Sequence, residues 1–100
     1  MSLPFFAYML RCNDGSYYVG HTDDLERRIA EHQSGEIPGY TAQRRPLELI
    51  WSQEFETREE AQEAEFRIKK WSRRKKEALA RREWEALRIA AKKNWQRSSR

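Results

Sequence analysis

The stretch AYMLRCNDGSYYVGH, residues 7–21, decides the fold, because it predicts two short strands joined by a tight turn. Residues 5–12 are mostly aromatic or aliphatic, and residues 16–21 form a second run with aromatic and β-branched side chains. Runs of this kind on either side of turn residues are typical of paired strands. The segment Asn13-Asp14-Gly15 between them therefore predicts a β-hairpin.

The length of the loop decides which face of the hairpin each tyrosine occupies. With a two-residue loop, Tyr8 and Tyr18 would point to opposite faces, because side chains alternate along a strand. A three-residue loop with Gly15 in the left-handed conformation pairs Tyr8 with Gly20 and Leu10 with Tyr18. We predict this second loop, which puts both phenols on one face and leaves space opposite Tyr8.

A helix is expected directly after the hairpin. Thr22 or Asp23 is the expected N-cap, and Glu26 completes a capping box three residues after Asp23. The helix is expected to run to about Ser34, where Gly35 ends it.

A third strand is expected after a loop over residues 36–45. Pro46 precedes residues 47–55, where apolar and mostly polar side chains alternate. The alternation predicts that the apolar side chains share one face of the strand, namely Leu47, Leu49, Trp51 and Phe55.

Two further helices complete the predicted fold. Thr57 opens a capping box for a helix from residue 58 to about 71, and Ser72 caps a last helix that reaches about residue 96. These elements predict an α/β (α+β) domain over residues 1–80, with a small, three-stranded, mostly antiparallel sheet flanked by helices. Residues 81–100 are predicted to be a basic helical extension. Its amphipathic stripe, expected to pack on the domain or on a second copy, is Trp84, Leu87, Ala91 and Trp95.

Charge is divided unevenly along the chain. Residues 1–66 hold 6 Lys/Arg and 13 Asp/Glu, and residues 67–100 hold 14 and 3, so balances of −7 and +11 give the net charge of +4. A cationic block of this size favours a polyanionic partner such as nucleic acid, with a solvated helix face as the alternative. The single cysteine, Cys12, allows no intramolecular disulfide, and no apolar run is long enough to cross a bilayer. We therefore expect a cytoplasmic protein with no membrane partner.

Polar side chains interrupt the apolar face of the first predicted helix. Leu25 and Ile29 define that face, and a rotation of about 100° per residue places Arg28 and His32 on the same side. Glu31 is expected to point away. Because burying polar groups without partners is costly, Arg28 and His32 are expected to have partners near the sheet.

The second predicted helix repeats this pattern. Its apolar stripe is formed by Ala61, Ala64 and Ile68, and Glu65 lies inside it. Three inward polar residues on two helices that face a pair of tyrosines indicate a functional site. The alternative is a structural ion pair between Glu65 and Arg28.

The chain resembles the GIY-YIG nuclease superfamily from residue 6 to about residue 80, in particular its small stand-alone bacterial group. The matching strings are AYMLRCNDGSYYVG (7–20), DLERRIAEHQSG (24–35) and EAEFRIKKWSRRKKEAL (63–79). Phe6-Ala7 stands where the family has Gly-Ile. The resemblance implies that the family's site residues fall on Tyr8, Tyr18-Val19-Gly20, Arg28, His32 and Glu65.

The resemblance also implies one divalent ion, Mg²⁺ or Mn²⁺, held by Glu65. Mg²⁺ often takes only one or two protein carboxylates. Arg28 would clamp phosphate oxygens, and Tyr8 would be the general base if nearby positive charge lowers its pKa from roughly 10. His32 would orient a tyrosine or relay a proton, and Tyr18 would position the substrate.

Together these features predict a divalent-metal-dependent endonuclease that acts on DNA in preference to RNA, as a monomer or weak dimer. It is expected to select nucleic-acid structure rather than sequence and to serve repair or recombination. The alternatives are a non-catalytic nucleic-acid-binding module with the same fold and a protein-interaction domain. The residues expected to contact nucleic acid are Gly20, Tyr40, Thr41, Arg44, Arg45, Lys69, Lys70, Arg73, Arg74, Lys75 and Lys76.

Overall fold

The computed structural model describes residues 4–90, and the side chains of residues 4–82. Its three strands form one antiparallel sheet in the order β2-β1-β3, with β1 in the centre. Three helices accompany the sheet, so the predicted fold class is confirmed. The elements are β1 (Phe5–Arg11), β2 (Tyr17–Thr22), α1 (Leu25–Ser34), β3 (Glu48–Phe55), α2 (Arg58–Lys69) and α3 (Arg73–Ala90).

The hairpin between β1 and β2 has the predicted three-residue loop. Cys12 N–H donates to the Ser16 carbonyl over 2.8 Å, and Gly15 has φ +87°, in the left-handed region that favours glycine. Tyr8 lies opposite Gly20 in the register of the two strands. Tyr8 and Tyr18 therefore share one face of the sheet.

The two faces of the sheet carry separate hydrophobic clusters. One cluster is built on Tyr8 and Leu10 and is covered by Leu25 and Ile29 of α1. The other contains Ala7, Met9, Val19 and Trp51 and is covered by Ile68 of α2, with Leu79 and Ala80 of α3 beside it. Because successive β1 residues point to opposite faces, α1 lies on one side of the sheet and α2 lies on the other.

The predicted alternation along β3 is wrong in its first half. Met9 pairs with Trp51 but Leu10 pairs with Leu49, so Ile50 is an extra residue in the ladder. A bulge of this kind reverses the alternation on either side of it. Leu47 precedes the strand and packs with Tyr8, whereas Trp51 packs on the opposite face and Leu49 is 41% exposed.

Helix α1 ends where it was predicted to end, but its N-cap differs from the prediction. Asp24 is the N-cap, and its carboxylate accepts the Arg27 N–H over 3.1 Å. The predicted caps are therefore wrong, and the Thr22 hydroxyl instead accepts the Asp24 N–H over 3.1 Å. Gly35 ends the helix with φ +82°, as expected.

The last two helices begin where they were expected. Thr57 caps α2, and the Ser72 hydroxyl accepts the Lys75 N–H over 3.2 Å at the start of α3. Helix α2 ends at Lys69, two residues earlier than predicted. Between residues 4 and 90, no helix is both long and apolar enough to cross a membrane. Ala91 and Trp95, and the side chains of Trp84 and Leu87, lie outside the described residues.

Candidate active site

A buried hydrogen-bond chain joins β1, α1 and the loop before β3. The Tyr8 hydroxyl lies 2.9 Å from Nε2 of His32, and the Thr41 hydroxyl lies 2.9 Å from Nδ1 of the same ring. The exposed fractions of Tyr8, His32 and Thr41 are 2%, 1% and 2%. Thr41 therefore cannot contact nucleic acid as predicted, because its hydroxyl is enclosed and bonded to His32.

Gly20 makes room for the Tyr8 hydroxyl. A Cβ atom at this position would lie 2.6 Å from the oxygen of Tyr8 and 3.2 Å from a ring carbon of Tyr18. Gly20 is itself buried. Gly20 therefore allows the Tyr8 and Tyr18 side chains to approach β2 closely, and this role differs from the predicted contact with nucleic acid.

The surroundings keep both members of the Tyr8–His32 pair uncharged. Burial raises the pKa of Tyr8 well above its usual range, the neighbouring Tyr18 adds to this, and the opposing charge of Arg28 is too weak to reverse it. Burial also lowers the pKa of His32, and Arg28 lowers it further. At neutral pH a phenol therefore faces a neutral imidazole, which can accept its proton.

Arg28 is half-buried at the edge of this pair. Its guanidinium lies 3.7 Å from the carboxylate of Glu31, which is partly buried rather than pointing away as predicted. The Arg28 charge lowers the pKa of both Tyr8 and His32. Arg28 therefore lies within electrostatic range of the pair.

Glu65 of α2 is held by two basic side chains. Oε1 accepts from Nδ1 of His21 over 2.5 Å, and Oε2 pairs with Nζ of Lys69 over 2.8 Å. Burial alone would raise the pKa of Glu65, but hydrogen bonds from Lys69 and His21 outweigh this and lower it. The carboxylate is therefore ionised at neutral pH, and its charge reaches Tyr8, whose pKa it helps to raise. The alternative ion pair between Glu65 and Arg28 is not what the structure contains.

His21 is the site residue that the sequence did not bring out. It follows Gly20 on β2, so alternation places it with Val19 on the face that α2 covers. Glu65 lies on the inward stripe of α2, so the alternation of side chains along β2 explains the contact between His21 and Glu65. The inward position of Glu65 was predicted, but its partner was not.

A Mg²⁺ or Mn²⁺ ion that takes few protein ligands would have to share Glu65 with His21 and Lys69 or displace them. Within residues 4–82, no cluster of three or more His, Cys, Asp or Glu side chains is arranged to hold a metal. A single ionised carboxylate remains, and Mg²⁺ commonly fills its shell with water and phosphate oxygens. Glu65 is 17% exposed at its side chain, which leaves it accessible from the surface.

The predicted nucleic-acid contacts divide into two groups. Arg44 donates to Asp14 over 3.0 Å and to the Tyr40 carbonyl over 2.8 Å, and Arg45 donates to the Ala42 carbonyl over 2.9 Å, so both guanidinium groups hold the loop before β3. The second group, the basic side chains on and next to α2 and α3, lies at the surface or is half-buried and takes no part in holding that loop. These are Lys69, Lys70, Arg73, Arg74, Lys75 and Lys76.

The chain is similar to a family model and to several known proteins. Residues 4–78 match the family model described as the GIY-YIG catalytic domain. A UPF0213 protein of Listeria welshimeri is 51% identical over 73 residues, which cover 73% of this chain and 81% of that protein. The UPF0213 protein YazA of Bacillus subtilis is 46% identical over 72 residues, which cover 72% of this chain and 73% of that protein.

Two solved structures are similar to the chain. The solution NMR structure of a UPF0213 protein from Bacillus halodurans has a TM-score of 0.50 and 45% identity, and the match covers 76% of this chain and 81% of that one. The solution NMR structure of protein EF2693 from E. faecalis has a TM-score of 0.55 and 37% identity, with coverage of 98% and 97%. The chain therefore belongs to the GIY-YIG family, among its small UPF0213 relatives.

Proposed function

We propose that this protein is a divalent-metal-dependent endonuclease that hydrolyses phosphodiester bonds in DNA. The observation that carries the proposal is the enclosed hydrogen bond of 2.9 Å between the Tyr8 hydroxyl and Nε2 of His32. The match of residues 4–78 to a catalytic-domain family supports it.

Hydrolysis of a phosphodiester requires an activated water and compensation of the charge that develops on the phosphoryl oxygens. Tyr8 is protonated, so it can take a proton from water only if it gives its own away. The neutral Nε2 of His32, 2.9 Å from the phenol oxygen, is the acceptor. Water thus passes a proton to Tyr8 as Tyr8 passes its proton to His32, and Thr41 holds the far side of the ring.

Positive charge for the phosphate comes from two sources. Arg28, half-exposed beside the pair, binds nonbridging oxygens as a planar and permanent cation. Glu65 would hold the divalent ion, which when bound supplies charge stabilisation and lowers the pKa of a coordinated water. Tyr18, whose ring centroid lies 5.1 Å from that of His32, positions the substrate.

The basic side chains of α2 and α3 extend the phosphate contacts beyond the site. Contacts of this kind set position and affinity without reading bases, so we expect selection of DNA structure rather than sequence. A nuclease of that kind suits repair or recombination.

A second candidate function, a nucleic-acid-binding module that does not cut, is favoured by one observation. His21 and Lys69 occupy both oxygens of Glu65, so an ion must share or displace them.

A panel of labelled DNA substrates separates the two functions. Branched, flapped, single-stranded and duplex DNA are each incubated with the wild-type chain, with Mg²⁺ or Mn²⁺ and with EDTA. The nuclease proposal predicts cleavage of at least one substrate with metal and none with EDTA. Binding without cleavage of any substrate would favour the second candidate.

A further inference from the structure

A cleft lies between β2, the loop before β3 and the start of α3. Its volume is about 320 Å³ and it is lined by Tyr17, Tyr18, Val19, Tyr40, Lys69 and Lys76. We call it the tyrosine cleft. Two of its walls belong also to the candidate active site, because Tyr18 packs against His32 and Lys69 pairs with Glu65.

Tyr40 is held in an exposed position at the mouth of the cleft. Tyr40 is 42% exposed. Its ring is stacked with the ring of Tyr18, with an angle of 22° between the ring planes and 6.5 Å between the ring centroids. The Arg44 guanidinium lies 3.8 Å from the centroid of the Tyr40 ring, and Arg44 is itself fixed by Asp14. Arg44 and Tyr18 hold the ring in place, and the exposure of Tyr40 leaves the part of the ring that they do not cover open to a further stacking partner.

The remaining walls supply positive charge. Lys69 and Lys76 face the same space as the tyrosines. An aromatic platform with ammonium groups beside it matches one chemical unit, a nucleobase joined to its phosphate. An apolar ligand would not use the ammonium group of Lys76, whereas Lys69 is already paired with Glu65.

We propose that the tyrosine cleft stacks an unpaired nucleobase next to the phosphate that is cut, so that the substrate is a single-stranded stretch of DNA. The inference rests on the proposed nuclease function, and it adds the substrate class. In a duplex, neighbouring bases cover both faces of each base, so a base must leave the helix before it can enter the cleft. Stacking accepts every base, which agrees with weak sequence selection.

The test compares two oligonucleotides that differ only in their bases. Fluorescence anisotropy measures binding of the full chain, in EDTA, to a short fluorescein-labelled thymidine oligonucleotide and to an abasic oligonucleotide of equal length. The wild type should prefer the thymidine oligonucleotide by about tenfold to a hundredfold, the range expected from the stacking of one base. Tyr40→Ala should abolish the preference, and Tyr40→Phe, which keeps the ring, should retain it.

Phe66→Ala is the matched control, because Phe66 is an exposed aromatic residue (62%) outside the cleft and stacked with Lys70. It should keep the preference for bases. Equal wild-type affinity for the two oligonucleotides would overturn the inference, and so would an undiminished preference in Tyr40→Ala.

Cleavage, measured separately with Mn²⁺, keeps the two proposals distinct. A base preference without cleavage of any DNA would leave the cleft assignment standing and end the nuclease proposal. Cleavage of duplex and single-stranded DNA at equal rates, without a base preference, would leave the nuclease proposal standing and end the cleft assignment.

Discussion

Thr41 and Tyr8 contact opposite nitrogens of the His32 ring, so the threonine hydroxyl fixes the direction in which Nε2 points. All three side chains are enclosed, and a buried polar atom that loses its partner is destabilising. Thr41 therefore acts on the chemistry through His32, and we regard it as a positioning residue.

Replacing the Thr41 hydroxyl tests this role. Thr41→Val keeps the shape but leaves Nδ1 of His32 without a partner, so the free energy of unfolding should fall by about 1–3 kcal/mol. The rate of DNA cleavage should fall as well, because the imidazole loses its alignment with Tyr8. Thr41→Ser retains the hydroxyl and should stay near the wild type in both urea unfolding and cleavage. A fully stable and active valine variant would contradict the role.

The sequence predicted which polar residues point inward, but it predicted only some of the residues that they contact. Helical periodicity placed His32 and Glu65 on buried faces, and loop geometry placed Tyr8 opposite Gly20, because these follow from local repeats. The contact of Thr41 with His32 depends on how an irregular loop folds, which no periodicity encodes. His21 and Glu65 meet across two elements, so the contact requires knowledge of how α2 packs on β2.

Among the elements, α1 and β3 differ from what their local sequence patterns predict. Asp23 and Asp24 are adjacent acidic residues, and either can cap a helix by composition alone. The structure selects Asp24, whose N–H is fixed by the Thr22 hydroxyl and whose carboxylate accepts from Arg27. In β3 the bulge at Ile50 could not be seen in the sequence, because the surrounding alternation is compatible with a regular strand.

The two aspartates provide a matched pair of variants at this scale. Asp24→Ala removes the capping bond and should lower the free energy of unfolding by about 1 kcal/mol. Asp23→Ala removes only an exposed ion pair with Arg58 at 3.8 Å and should change it by less than about 0.5 kcal/mol. Urea denaturation followed by circular dichroism measures both. Equal losses, or a larger loss for Asp23→Ala, would contradict the assigned cap.

For the molecule as a whole, burial of titratable groups in the site sets the pH range of stability. The pKa of His32 is lowered from 6.5, so the unfolded chain binds this proton more tightly and stability declines as pH falls below 6.5. The lowered pKa of Glu65 adds a further decline below 4.5. The raised pKa of Tyr8 has the opposite sign, so stability declines above its ordinary value of 10.0.

Melting temperatures across this pH range should therefore form a plateau between the two declines. The titration of the His32 ring, followed by NMR in the wild type, should have its midpoint below 6.5. His32→Gln, which keeps hydrogen-bonding capacity without titrating, should flatten the decline just below neutral pH. A His32 midpoint above 6.5 would show that the fold stabilises the charged ring, which would contradict the proton relay.

The central claim is that one carboxylate of α2 makes this fold a metal-dependent nuclease. Single-turnover DNA cleavage with Mg²⁺ or Mn²⁺ tests it in wild type, Glu65→Gln and Glu63→Gln, the last being an exposed glutamate on the same helix that pairs with Arg67. We predict that Glu65→Gln lowers the cleavage rate by about 100-fold or more while DNA binding in EDTA is retained, and that Glu63→Gln cuts like the wild type. Wild-type cleavage by Glu65→Gln would contradict the account.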